Sequence, residues 1–195
     1  MTQIIKSNPI VVDVETQLTF QETGNDLKKL KVSLAGVYDF KSDKFCAFRE
    51  NELDKLFRMM EHASQVIGFN IKKFDLPVLA PYYRGNIRQF ETVDLLELVE
   101  KNLGYRVSLD SLAGSTLGLK KSGHGLMAIN YFRQGDWQKL ESYCLDDVRI
   151  TRDLYSYVLT NKKVIIRTGS VLKDLPMEII IKPKKDKSVS LSLPF

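Results

Sequence analysis

Cysteine is scarce in this 195-residue chain, with only Cys46 and Cys144 present. Two thiols so far apart make no disulfide framework and lack metal-ligand spacing, so both are expected to be buried thiols. Long apolar runs are missing too. No stretch reaches the ~18 residues that suggest a membrane span, and the opening MTQIIKSNPI has no long apolar signal-peptide region. These absences predict a soluble, cytoplasmic protein with no membrane partner. A field of one sign is also lacking. The net charge is +5, and three of those charges fall in the segment from Lys182 to Phe195, leaving +2 on the first 181 residues. Any polyanion-binding surface on the globular part must therefore be a local patch.

What is present suffices for one substantial domain and a tail: 44% of residues are hydrophobic and 27% charged. No internal repeat is visible. Residues 8–15, 30–40 and 44–50 read as strands, the last two forming a hairpin across the turn at 41–43. Residues 51–63 have helical periodicity, with Leu53, Leu56, Phe57 and Met60 on one face and Asn51 as N-cap. A short buried strand (64–70) precedes a helix with Pro77 in its first turn and Gly85 at its end. FETVDLLELVEKNLG predicts a strand running into a helix. Two short helices (109–117 and 127–134) and a long one from Asp136 to about Asn161 follow. VIIRTG and MEIIIKP are expected to pair as the last strands. This order predicts an α/β fold with a mixed central sheet of about five strands flanked by helices. The domain is expected to span 1–181, with its core at about 8–160. KPKKDKSVS has the composition of a flexible charged linker, which makes 182–195 a tail.

Carboxylates interrupt the apolar elements at three places. In VVDVET, Asp13 and Glu15 lie two apart on a strand and so project to one face. Like charges that close repel unless a cation sits between them, and oxygen donors suit Mg²⁺ or Mn²⁺. A solvated strand face would give the same alternation. In GFNIKKFD, Asp75 reads equally as a helix N-cap, with Asn70 and Phe74 beside it. In ESYCLDDV, Asp147 falls in the middle of the apolar stripe Leu140–Cys144–Val148–Thr151, while Asp146 points toward solvent. A core-facing Asp costs several kcal/mol unless compensated, by a salt bridge, a cap or a metal. Tyr143 lies one turn earlier on the same face. Together the three segments predict four acidic side chains converging on a two-metal site.

With these motifs the chain resembles the DnaQ-like 3′–5′ exonucleases of the DEDD type, which have the RNase H-like fold. The first motif matches at VVDVET, the second at GFNIKKFD and the third at YCLDDV. Tyr143 is similar to the tyrosine of the DEDDy branch. The histidine of the other branch falls at Ser142 here, and neither His62 nor His124 fits it. In style the chain is similar to the exonuclease domains of family B polymerases and to stand-alone relatives. No polymerase follows, so a free-standing enzyme is expected. The resemblance implies that Asp13, Glu15 and Asp147 hold the metal carrying the attacking water, and that Asp13 and Asp75 hold a second metal at the leaving 3′ oxygen. It implies that Tyr143 orients the water, its phenol being protonated at pH 7. Thr16, Asn70 and Phe74 are then expected near the terminal nucleotides. Lys120, Lys121 and His124 in GLKKSGHGL either contact phosphates or belong to an ordinary flexible loop. Asp94 is expected to support a strand end rather than bind metal.

The terminal SLSLPF resembles the bacterial sliding-clamp-binding peptide, with Leu191, Leu193 and Phe195 as its apolar anchors and Ser190 where glutamine is usual. A tail strand packing on its own domain is the other reading. The clamp resemblance favours DNA 3′ ends, single-stranded or frayed, as substrate. RNA 3′ ends, or a catalytically silent nucleic-acid-binding module, are the alternatives.

Overall fold

In the computed structural model, which describes residues 8–119 and 125–181, the first apolar run is strand β1 (Ile10–Thr16). It pairs antiparallel with β2 (Val32–Asp39), and β2 with β3 (Lys44–Arg49). The Asp39 carboxylate holds the β2–β3 turn by accepting from the Lys41 N–H and the Ser42 hydroxyl. On its other side β1 pairs in parallel with β4 (Val66–Gly68), and β4 with β5 (Thr92–Asp94). The mixed five-stranded sheet, ordered β3-β2-β1-β4-β5, is the one expected.

Helices cover both faces of the sheet, and β1 divides its side chains between them. Ile10, Val12 and Val14 pack with helix α1 (Leu53–His62) and helix α2 (Asp75–Leu79). Val11 faces the opposite way, into a core built by helices α3 (Leu95–Leu103), α4 (Leu109–Leu117) and α6 (Trp137–Asn161). Each fully buried aliphatic side chain contributes about 1.5–3 kcal/mol. Asp13 and Glu15 continue the Val11 face, beyond the point where apolar packing ends. Helix α5 (Gly125–Gln134) packs on α6 and near β1. The capping signals at α6 hold: the Asp136 side chain accepts from the Lys139 N–H. No helix among the described residues is long and apolar enough to cross a membrane.

Several local expectations are corrected. Asn51 does not cap α1. A 3-10 turn (Glu50–Glu52) comes first, and Glu52 reaches back to accept from the Arg49 N–H. Helix α2 stops at Leu79 and tightens into a 3-10 turn (Ala80–Tyr82) well before Gly85, because Pro81 has no N–H to continue the helix. The last strand pair joins β6 (Lys163–Thr168) to β7 (Val171–Pro176), not to MEIIIKP. Gly169, at φ +62, makes a two-residue turn that brings the less apolar VLKDLP back onto β6. Met177 and Ile179 of the apolar run are buried in the core without strand pairing. Cys144 is buried as expected, but Cys46 on the edge strand β3 is only half-buried.

Gly36 permits the closest helix–sheet approach. It pairs with Asp13 across β1 and β2, and a Cβ there would lie 2.8 Å from the Cys144 Sγ and 2.9 Å from the Val148 Cγ2. Gly36→Val is therefore expected to cost about 1–3 kcal/mol through overpacking. A denaturant titration or thermal melt reads that loss; an unchanged midpoint would mean that α6 sits farther from the sheet.

Candidate active site

The site begins at the end of β1. Asp13 and Glu15 project toward α6, and one ligand atom each from Asp13, Glu15 and Cys144 lie within 4.8 Å of one another. Past Glu15 the pairing with β2 shifts register, Thr16 facing Val32, and the Gln17 and Leu18 N–H groups go on to donate to the Lys31 and Leu30 carbonyls. The Thr16 hydroxyl then donates to the Leu18 carbonyl.

Asp75 arrives from the opposite side of the strand. β4 pairs with β1 only at Ile10 and Val11, so the edge of β1 beyond them lacks a ladder partner from β4. The Asp75 Oδ1 takes that place, accepting from the Val14 N–H at 2.9 Å. Asp75 is thus the first residue of α2 rather than its N-cap, and its carboxylate is tied to the peptide between Asp13 and Glu15. Asp94 makes this position possible. Its two oxygens accept from the N–H groups of Asn70, Lys72, Leu96 and Glu97, capping α3 and fixing the loop that leads to Asp75. Asn70 adopts φ +70 in that loop. Asp94 therefore supports the strand end, as expected from sequence.

Helix α6 supplies the third segment. Tyr143, Cys144, Asp147 and Val148 all lie on its buried face, as the stripe predicts, while Asp146 turns aside to pair with Arg149 at 2.8 Å. Asp75, Asp147 and Glu15 are exposed by only 3%, 6% and 9%. Burial pushes the Asp75 carboxyl up to about 7, with Asp94 and Asp147 adding to the rise against the lowering effect of its backbone hydrogen bonds. Burial also pushes the Cys144 thiol up, and Asp13, Glu15 and Asp147 push it further. Its Sγ lies 3.9 Å from the Asp13 Oδ2. At neutral pH this thiol is a neutral packing neighbour of the carboxylates rather than a thiolate ligand. The donor set that remains is carboxylate oxygen, which fits a hard divalent cation such as Mg²⁺ or Mn²⁺.

Asp13, Glu15 and Asp147, but not Asp75 or Cys144, line a cleft of about 420 Å³. Asp13, Glu15, Thr16, Tyr143 and Asp147 form its polar end, and Phe74 lies in its wall. Sequence reasoning missed the rest of that wall. Phe20 packs its ring 5.9 Å from Phe74, and Leu126 and Ile129 of α5 also line the cleft. The exposure of Phe20 (49%) and Leu126 (66%) marks an apolar rim with no sequence motif of its own. The Glu22–Arg133 ion pair, at 2.6 Å, ties the Phe20 loop to α5. Cys144 was legible as core but not as a neighbour of Asp13. Asn70 does not line the cleft; its amide oxygen accepts from the Arg106 Nη2 at 2.7 Å. Lys120, Lys121, His124, Leu191, Leu193 and Phe195 lie outside the described residues.

The profile of the RNase_H superfamily matches residues 10–159. Among solved structures the chain is similar to the family B DNA polymerase of the hyperthermophilic archaeon Pyrobaculum calidifontis, with a TM-score of 0.59 and 18% identity, over 78% of this chain and 24% of that one. It is also similar to RNase D of Trypanosoma brucei, with a TM-score of 0.56 and 17% identity, over 80% of this chain and 59% of that one. The chain thus spans less than two thirds of either, and at these identities the likeness is one of fold. No curated protein matches the chain.

The raised Asp75 carboxyl carries a stability signature. The folded metal-free protein holds this proton up to about pH 7, whereas the unfolded chain releases it near 3.8. Proton retention therefore stabilises the fold at low pH, and that contribution fades as pH rises from about 4 through 7. Melts in EDTA between pH 5 and 8 are expected to show this decline, and Asp75→Asn to flatten it. An identical slope in both proteins would remove the burial argument for Asp75.

Proposed function

The chain belongs to the RNase H superfamily, and on that premise we propose that it is a metal-dependent 3′–5′ exonuclease of the DEDDy type, releasing nucleoside 5′-monophosphates from nucleic-acid ends. The observation that supports this reading is a cleft lined by Asp13, Glu15 and Asp147, with the Asp75 carboxylate hydrogen-bonded to the Val14 N–H between the first two. Asp13, Glu15 and Asp147 would hold one Mg²⁺ or Mn²⁺, and Asp13 and Asp75 a second. Bound there, two such ions stabilise the attacking and the leaving oxygens of an in-line displacement.

The chain's own groups do the rest. The Val14 N–H and the four N–H donors on Asp94 fix where the Asp75 carboxylate sits, so no reorganisation is needed when substrate arrives. Tyr143 lines the cleft with the carboxylates, and its phenol O–H orients the attacking water. Thr16 contributes backbone near the 3′ end. Phe74, backed by Phe20, offers an aromatic face to the terminal base, and Leu126 and Ile129 add apolar lining to the cleft. Asn70 retains its assignment as a nucleotide contact, in company with the Arg106 guanidinium that its amide binds. Lys120, Lys121 and His124 are assigned to substrate phosphates on the chemistry of their sequence alone.

DNA 3′ ends are the proposed substrate, with the likeness to RNase D favouring RNA as the second reading. A silent nucleic-acid-binding module is a weaker reading, because all four carboxylates and Tyr143 are retained. The division into a domain at 1–181 and a tail at 182–195, a cytoplasmic location, and docking of Leu191, Leu193 and Phe195 on a bacterial sliding clamp are parts of the same proposal.

Degradation of 5′-labelled single-stranded DNA and RNA in Mg²⁺ or Mn²⁺ is expected to proceed from the 3′ end. Asp13→Ala should lower the rate by about 10³-fold or more, because a metal supplies several kcal/mol of charge stabilisation. Tyr143→Phe should lower kcat by roughly 10²-fold with little change in KM. Equal degradation by wild type and Asp13→Ala would refute the assignment. For the tail, truncation after Ser188 should abolish association with a bacterial clamp, and unchanged association would reject the docking.

A further inference from the structure

A second cavity, larger than the cleft, lies elsewhere on the molecule. A trough of about 760 Å³ lies among α2, the 3-10 turn Leu27–Lys29 and the segment 85–92. Its floor includes Leu76, Pro77 and Phe90, and its edges carry Lys28, Lys72 and Arg88 against one carboxylate, Glu91. Lys72 is paired with Glu97, so Lys28 and Arg88 are the cations that the ion pairs of the described residues leave to the trough. Both sit in short 3-10 turns whose caps, from Asp26 and Asn86, act on backbone N–H groups and leave the ammonium and guanidinium exposed.

The trough adjoins the catalytic cleft. Leu30 lines the cleft and Lys28, two residues earlier, lines the trough. Lys72 and Leu76 of the trough bracket Phe74, in the cleft wall, and Asp75. On the path proposed below, a strand leaving the cleft past the Phe20–Phe74 pair enters this trough. Cations set along an apolar, partly aromatic floor are the chemistry of a single-stranded nucleic acid: the phosphates meet Lys28 and Arg88, and a base lies against Phe90.

We propose that this trough holds single-stranded nucleic acid upstream of the nucleotide in the cleft, with Lys28 and Arg88 as its phosphate contacts. The inference rests on the exonuclease reading for the direction of the strand, but binding in the trough needs no catalysis. The test uses the full chain in EDTA, which stops turnover, and fluorescence anisotropy of labelled 12-mers of single-stranded DNA and of RNA. A trinucleotide, too short to leave the cleft, is the comparison.

For the double variant Lys28→Ala/Arg88→Ala, the ratio of 12-mer to trinucleotide affinity is expected to fall about 10-fold. The slope of log K against log salt should shrink by about 1.4, at roughly 0.7 for each single-strand phosphate that the variant no longer neutralises. The charge-keeping exchange Lys28→Arg/Arg88→Lys should preserve both, which separates charge contact from misfolding. Comparison of the two 12-mers tells whether the trough takes the deoxy or the ribo backbone. An unchanged affinity ratio, or competition by polyglutamate equal to that of an oligonucleotide of the same charge, would overturn the trough. Loss of long-strand affinity in a chain that hydrolyses neither polymer would leave the trough standing and remove the exonuclease instead.

Discussion

Helix α6 can lie against β1 and β2 only because β2 carries no side chain at Gly36. The Cys144 Sγ and the Val148 Cγ2 fill the space that a Cβ would need. That contact sets how far Asp147, one turn along the helix from Cys144, stands from Asp13 on the neighbouring strand. Charges of one sign do not gather unless packing forces them to. The apolar stripe from Leu140 to Val158, buried along most of α6, supplies that force.

A second tie works from the other side of β1. Asp75 stands in for a strand partner at the edge of β1, and Asp94 holds the loop behind it through four N–H donors. Burial opposes the charge on Asp75 while the hydrogen bonds to it favour the charge. The group is held at a balance where a divalent ion nearby would tip it to the ionised form. The short β4 is central to this. A longer β4 would pair with β1 through Val14 and leave Asp75 nothing to hold.

Much of this was legible in the chain because two periods are legible. The alternation of β1 placed Asp13 and Glu15 together, and the 3.6-residue stripe of α6 placed Asp147 and Tyr143 inward and Asp146 outward. What stayed hidden depends on contacts between residues far apart in sequence. The Asp75–Val14 bond spans 61 residues, and no local pattern announces it. Gly36 reads as an ordinary strand glycine until α6 is laid on it. Phe20 lies in a loop, and Leu126 falls in the first turn of α5, one residue ahead of the helix expected at 127–134, so the cleft wall they build was invisible. MEIIIKP looked more like a strand than VLKDLP, because β7 is mostly exposed and its apolar signal is weak, while Met177 and Ile179 are core residues outside any ladder. The division of the sheet between two cores, by contrast, follows directly from the β1 alternation.

That alternation also imposes a reading frame on the first strand. Adding or deleting one residue between Pro9 and Asp13 would swing both carboxylates toward α1 and α2 and turn valines into the cleft. The β2–β3 turn at residues 40–43, at the sheet edge, carries no such phase. Length variation among descendants of this chain should therefore accumulate at that turn and be purged from the segment that begins at Ile10.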